Sequence, residues 1–146
     1  MDIKSIDKME IYPCKKSDIG IIVEGINDFN LKSVPALANA WTPLEFVVKD
    51  EKGKVIGGIL GGIGYWNGLE IRILWVEESF RNKGIGSLLL GFIEQQAKLQ
   101  GATLSMLDTF DFQAEEFYLK KGYEKVGSID NFPIGHTKIY FSKKLI

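Results

Sequence analysis

Apolar positions along this chain change period several times, and each change marks a predicted element. In "SDIGIIVEGINDFNL", Ile19, Ile22, Val23 and Ile26 fall on one side at helical spacing, behind Ser17-Asp18 as an N-cap. Upstream of it "KMEIYPCK" reads as a short first strand. Downstream, "KSVPALANAW" reads as a loop with room for a short helix after Pro35. "LEFVVKDEKGKVIGGILGGIGYW" is apolar on both sides of Asp50-Glu51-Lys52-Gly53, which predicts a hairpin, and "LEIRILWV" predicts another strand. Helical spacing returns in "GSLLLGFIEQQAKLQG", through Ile85, Leu88, Leu89, Phe92, Ile93 and Ala97, with Gly101 where a C-terminal cap belongs. "ATLSMLDTF" is a strand and "QAEEFYLKKG" a short helix. "YEKVGSID" and "HTKIYFSKK" close the chain as two antiparallel strands.

The order is therefore β-α-β-β-β-α-β-α-β-β. Two strands joined through a helix must run parallel, with a right-handed crossover, so the fourth and fifth strands, "LEIRILWV" and "ATLSMLDTF", form a parallel β4-β5 pair. The other strands are joined by short turns and pair antiparallel. The fold class is α+β: a mixed, mostly antiparallel sheet with helices on both faces.

A chain of 146 residues without a linker or repeat suits one domain, residues 1–146. Net charge is −1, so nothing draws the whole surface toward nucleic acid or anionic lipid, and any anion site must be local. No apolar run approaches the length of a membrane span, and "MDIKSIDKME" lacks a signal-peptide core; a cytoplasmic protein is expected. One cysteine, Cys14, and one histidine, His136, make a His/Cys zinc cluster implausible, so no metal is expected. Cys14 reads as a small buried residue in the first strand, and His136 as a loop histidine that either borders a pocket or is incidental.

The candidate chemistry lies in "SFRNKGIGSL", where a strand ends and a helix begins. The first amides of a helix have no partner inside it and sit at the positive end of its dipole, which suits an anion. Gly84 and Gly86 let the main chain approach a phosphate, and Arg81 and Lys83 add charge. A plain glycine turn with solvated basic residues reads equally well on these residues alone. The loop fits neither the dinucleotide fingerprint nor the Walker loop. "IGGILGGIG" also has two readings: a strand bent to make room for a ligand, or one crowded by a helix packed on it.

"LWVEESFRNKGIGSLLLGFIEQQA" resembles the Arg/Gln-x-x-Gly-x-Gly/Ala motif of the GCN5-related N-acetyltransferase (GNAT) family. "DTFDFQAEEFYLKKGYEKVG" resembles that family's second signature at the matching spacing, and "GHTKIYFSKKL" is similar to the closing strand of its small bacterial members. The resemblance covers residues 44–146. It implies the GNAT fold, splayed open between the parallel strands, and an acetyl-CoA-dependent N-acetyltransferase. The acetyl group passes by direct attack of a primary amine in a ternary complex.

By the same resemblance, Asn82, Lys83, Gly84, Ile85, Gly86 and Ser87 offer amides to the pyrophosphate of acetyl-CoA, with Arg81 and Lys83 as supporting cations. Leu74, Trp75 and Val76 pair with the pantetheine arm, and an N–H near Leu74 polarises the thioester carbonyl. Glu70 matches the carboxylate base, the other reading being an exposed residue paired with Arg72; strand alternation puts Glu70 on a face with Arg72, Leu74 and Val76. Tyr118 matches the general acid, the other reading being a helix-face aromatic packed with Ala114 and Phe117. Tyr123 reads as core. Where many members carry Asn after the fifth strand, this chain has Gln113 or Asp111 to take its place. A small-molecule amine is the default acceptor, such as an aminoglycoside-like or streptothricin-like antibiotic, a polyamine or an amino acid. A protein amine stays open and a homodimer is compatible. The rival readings are a non-catalytic acyl-CoA sensor of the same fold and an interaction domain without cofactor.

Overall fold

The computed structural model describes residues 9–146, which fall into two compact units divided between Ala36 and Leu37. The first unit is built on helix α1, Lys16–Ser33. Its N-cap is Lys15 rather than Ser17-Asp18, because Asp18 sits three residues further on and its carboxylate accepts the Lys15 N–H at 2.8 Å. The chain leaves the helix at Val34, where the following Pro35 disfavours helical backbone. Three expectations fail here. Residues 9–15 form no strand: Ile11 and Tyr12 are exposed and Pro13 removes a donor, while Lys8 lies outside the described residues. No helix follows Pro35, and Cys14 is exposed rather than buried.

The second unit holds a six-stranded sheet in the order β1-β2-β3-β4-β6-β5. Its strands are β1 Trp41–Lys49, β2 Val55–Gly64, β3 Gly68–Val76, β4 Leu104–Phe110, β5 Glu124–Asp130 and β6 Thr137–Lys144. Helix α2, Ile85–Leu99, joins β3 to β4, and the short helix α3, Glu115–Lys120, joins β4 to β5. Every neighbouring pair is antiparallel except β3–β4, as the strand–helix–strand connection requires. With no strand among residues 9–15, the parallel pair expected as β4-β5 is β3-β4 in this numbering. At the β1–β2 turn the Asp50 carboxylate accepts the amides of Lys52 and Lys54, each at 2.9 Å, and Gly53 takes the left-handed conformation.

Helix α2 lies on this sheet through Leu89, Leu90, Ile93 and Ala97, which join Ile59, Ile63, Leu69 and Ile71 in one core. Leu88, expected on the buried stripe, is exposed, and Leu90 takes its place. The helix ends as read: Gly101 adopts φ +93°, and the amides of Gly101 and Ala102 return to the carbonyls of Lys98 and Ala97. The crowding reading of the glycine-rich strand is the one the packing supports. A side chain at Gly61 would begin 2.5 Å from the Glu70 carbonyl oxygen and 3.2 Å from Ile93, and one at Gly57 would begin 3.2 Å from Ile85. The space over Gly62 is filled by the ring of Trp41.

Sequence patterns gave no sign of a polar group tying α2 to the sheet. Glu94 accepts from the Tyr123 hydroxyl at 2.7 Å and from Lys143 Nζ at 2.9 Å, while Tyr123 Oη also meets Ser105 Oγ at 2.7 Å. Tyr123, expected in the core, is 2% exposed. Its burial is tolerated because its hydroxyl is fully bonded. Glu94→Ala leaves Lys143 and Tyr123 without their shared acceptor, so unfolding in urea should show a loss of about 3 kcal/mol. A loss under about 0.5 kcal/mol, the size of a surface change, would show the network to be idle.

Candidate functional site

Strands β3 and β4 pair only from Gly68↔Leu104 to Ile71↔Leu107. Beyond that point each keeps its other neighbour: Leu74, Trp75 and Val76 pair with β2, and Asp108, Thr109 and Phe110 with β6. The parting coincides with a bulge. Leu60 pairs with Ile73 but Gly61 with Ile71, so Arg72 is an extra residue in β3. A bulge bends its strand and sharpens its twist, and here it sits where contact with β4 ends. It also shifts the alternation by one. Leu74 packs on the same core as Leu69 and Ile71, so Glu70 does not share a face with Leu74 and Val76 as strand alternation predicts.

The parted strands open into a groove of ≈ 1110 Å³. One wall is β3 from Ile71 to Val76; the other is the end of β4 with Asp111, Phe112 and Gln113; the loop before α2 and the residues of α3 close its ends. Of the expected cofactor residues, Leu74, Trp75, Val76, Arg81, Asn82, Gly84, Ile85, Gly86, Ser87 and Gln113 line it. Lys83 does not: its ammonium lies 5.3 Å from the centre of the Phe80 ring. Arg81 donates from Nε to the Val76 carbonyl at 2.9 Å, fastening the loop to the strand it follows.

Helix α2 opens on this groove without a side-chain cap. Gly84 is its N-cap at φ +86°, Asn82 is also left-handed at φ +63°, and Leu88 is the first residue whose amide bonds back, to the Gly84 carbonyl at 3.0 Å. The amides of Asn82, Lys83, Gly84, Ile85, Gly86 and Ser87 make no hydrogen bond within the described protein. Left-handed backbone at two nearby positions turns successive N–H groups to one side, the arrangement that holds an anion.

At the end of α3, the sequence "FYLKKGY" becomes a specific cap. Gly122 is left-handed at φ +91°, its amide bonds the Leu119 carbonyl, and the Tyr123 amide bonds the Tyr118 carbonyl at 3.0 Å. That cap sets the rings of Tyr118 and Tyr123 edge to face, 5.7 Å apart. Tyr118 is 6% exposed, and its hydroxyl has no partner within the described protein yet is not sealed from the groove it lines. Burial pushes its pKa up to about 12. It therefore stays protonated through the physiological range, on a residue that lines the groove.

The remaining candidates divide. Gln113 lines the groove, but its side-chain carbonyl accepts from Thr109 Oγ1 and the Phe110 amide, both at 3.0 Å, so it shapes the loop. Asp111 bonds His136 Nδ1 at 2.9 Å and the Thr137 amide at 3.1 Å. His136, read as bordering a pocket or as incidental, is held by Asp111 and set edge-on to Phe112. Glu70 lies outside the groove, 3.9 Å from Arg72, and lines a second one of ≈ 600 Å³. The two grooves share Ile71, Arg72, Leu107 and Asp108, so they meet where the strands separate. Asp108 and Phe112 escaped the sequence reading; the signal was an acid and an exposed aromatic beside a recognised motif. Among the described residues no helix is long and apolar enough to cross a membrane, and no His, Cys, Asp or Glu group is placed to hold a metal.

Comparison with known proteins places the chain in one family. The model of the acetyltransferase (GNAT) family matches residues 20–123. A blasticidin-S acetyltransferase of Streptomyces morookaense is 36% identical over 96 residues, 65% of this chain and 70% of the relative. The crystal structure of an acetyltransferase from Bacillus cereus superposes with a TM-score of 0.86 at 36% identity, covering 93% of this chain and 97% of that one. An aminoglycoside 6'-N-acetyltransferase crystallised with coenzyme A shares the fold, with a TM-score of 0.64 at 22% identity over 82% of this chain and 78% of its own.

The raised pKa of Tyr118 has a consequence for stability. Between pH 10 and about 12 the unfolded chain has lost a proton from this residue that the folded chain keeps. Its contribution is complete below the ordinary tyrosine pKa of about 10 and falls as pH rises toward the folded value. Urea unfolding across this range should lose stability with pH, less steeply in Tyr118→Phe than in the wild type. Equal slopes would place the hydroxyl in water.

Proposed function

The chain belongs to the acetyltransferase (GNAT) family and is an acyltransferase, and on that footing we propose that it moves the acetyl group of acetyl-CoA to a primary amine of a small molecule. The observation that carries this reading is the run of unbonded amides from Asn82 to Ser87, opening on a groove that also receives the hydroxyl of a buried tyrosine. An anion cradle and a proton donor lining one slot suit a cosubstrate with a diphosphate at one end and a thioester further along.

In this reading the amides of Asn82, Lys83, Gly84, Ile85, Gly86 and Ser87 hold the diphosphate. Arg81 braces the cradle through Val76, and Lys83 adds charge from outside the groove. Leu74, Trp75 and Val76 offer strand-edge backbone to the pantetheine arm, and Gln113 shapes the opposite lip. An N–H near Leu74 holds the oxygen that gains charge as the thioester is attacked. The acceptor arrives from the second groove, through the gap that opens past the Ile71–Leu107 pair.

An amine of pKa about 10.4 is a free base in roughly one molecule in 2500 at pH 7. Glu70, on the acceptor side, takes its surplus proton directly or through a water. The freed lone pair forms the C–N bond, and the C–S bond breaks. Tyr118 protonates the departing sulfur and regains a proton as the new amide nitrogen sheds its own. One ammonium and one acetyl-CoA yield one amide, one CoA thiol and one proton.

Turnover is followed by release of free thiol from acetyl-CoA across a panel of amines. Tyr118→Phe should lower kcat by about 100-fold while acetyl-CoA affinity by calorimetry stays within about twofold. Unchanged kcat would remove Tyr118 from the chemistry, and a protein that binds no acetyl-CoA would end this reading.

A further inference from the structure

The second groove carries a selection rule of its own. Its floor is apolar, formed by Leu104 and Met106 of β4 with Val126 and Tyr140 from β5 and β6. Three charged residues rim it: Glu70, Arg72 and Asp108. Arg72 is already engaged, its guanidinium 4.2 Å from the centre of the Trp41 ring and 3.9 Å from the Glu70 carboxylate. Of the two carboxylates, Asp108 is the one that lines both grooves. Its cationic neighbour, Lys138, stands 3.8 Å away and 5.5 Å from the centre of the Tyr140 ring.

The position of Asp108 is set by the topology. Leu107 is the last residue of β4 paired with β3, so Asp108 is the first residue past the parting, and it lines both grooves. It shares the face of Leu104 and Met106 by alternation along β4. Anything that slides over that apolar floor and reaches through the gap passes its carboxylate. The side chain is half exposed, so its pull on a cation is that of a partly solvated pair, enough to govern affinity but not to replace the chemistry.

We propose that Asp108 is the specificity-determining residue for the acceptor: it holds the ammonium at the gap and selects primary amines on an apolar or aromatic body with no carboxylate beside the amine. This rests on the acyltransferase reading above. A carboxylate next to the reacting amine would lie beside Asp108 and be repelled.

Tyramine and tyrosine are the probes, since they differ by one carboxylate. With acetyl-CoA, the wild type should acetylate tyramine with a kcat/KM at least about tenfold above that for tyrosine. Asp108→Asn should raise the tyramine KM by about tenfold, leave kcat within about twofold and acetyl-CoA affinity unchanged, and narrow the tyramine-to-tyrosine ratio toward one. Asp108→Glu should restore the ratio, which a purely structural role would not require. A wild type that prefers tyrosine, or a ratio untouched in Asp108→Asn, overturns the proposal.

If neither amine turns over, calorimetric titration of each into the wild type and Asp108→Asn, with and without CoA, decides. Tyramine binding that weakens in the variant supports Asp108, and equal or absent binding overturns it. Failure to bind acetyl-CoA would instead sink the acyltransferase reading, with the amine titrations still judging Asp108.

Discussion

Two parallel strands that start side by side and then part are the constraint on which the rest of this structure depends. β3 and β4 share four residue pairs and no more. Each remains anchored beyond the parting, β3 by β2 and β4 by β6, so the gap is held open by pairing on either side. The extra residue at Arg72 makes the bend local, and Gly61 opposite it admits the displaced backbone, since a side chain there would strike the Glu70 carbonyl oxygen. A slot held by complete hydrogen-bonded strands needs no induced opening.

Two glycines in left-handed conformation set the edges of that slot. Gly84 starts α2 with its amides unsatisfied, and Gly122 ends α3 in a cap that clamps Tyr118 onto Tyr123. The clamp separates two adjacent tyrosines into different roles. Tyr123 turns its hydroxyl to Glu94 and Ser105 and becomes part of the scaffold. Tyr118, equally buried as a ring, keeps its hydroxyl unbonded and open to the groove. Charge in the loop is used for shape as well: Arg81 fastens loop to strand, and Lys83 rests on Phe80.

Much of this was legible beforehand. The helix 85–99 and its glycine cap, the hairpin with its Asp50 turn and the parallel strand pair follow from spacing, turn chemistry and connectivity, all of which act locally. The N-terminal strand was misread because a short apolar run fits a strand only when a neighbour pairs with it, and Ile11 and Tyr12 are exposed. The face assigned to Glu70 was wrong because strict alternation cannot anticipate one inserted residue. Gln113 and Asp111 were weighed as groups free for a ligand, but their oxygens are taken up by the turn and by His136.

By itself the sequence determined the elements, the parallel pair and the glycine positions at helix ends, because each follows from residues close along the chain. Tertiary structure decided where the parallel pair separates, which of two tyrosines keeps a free hydroxyl, and that Asp108 stands at the junction of two grooves. Those outcomes depend on pairings between segments distant in sequence, and a single bulged residue moves every side chain beyond it to the other face.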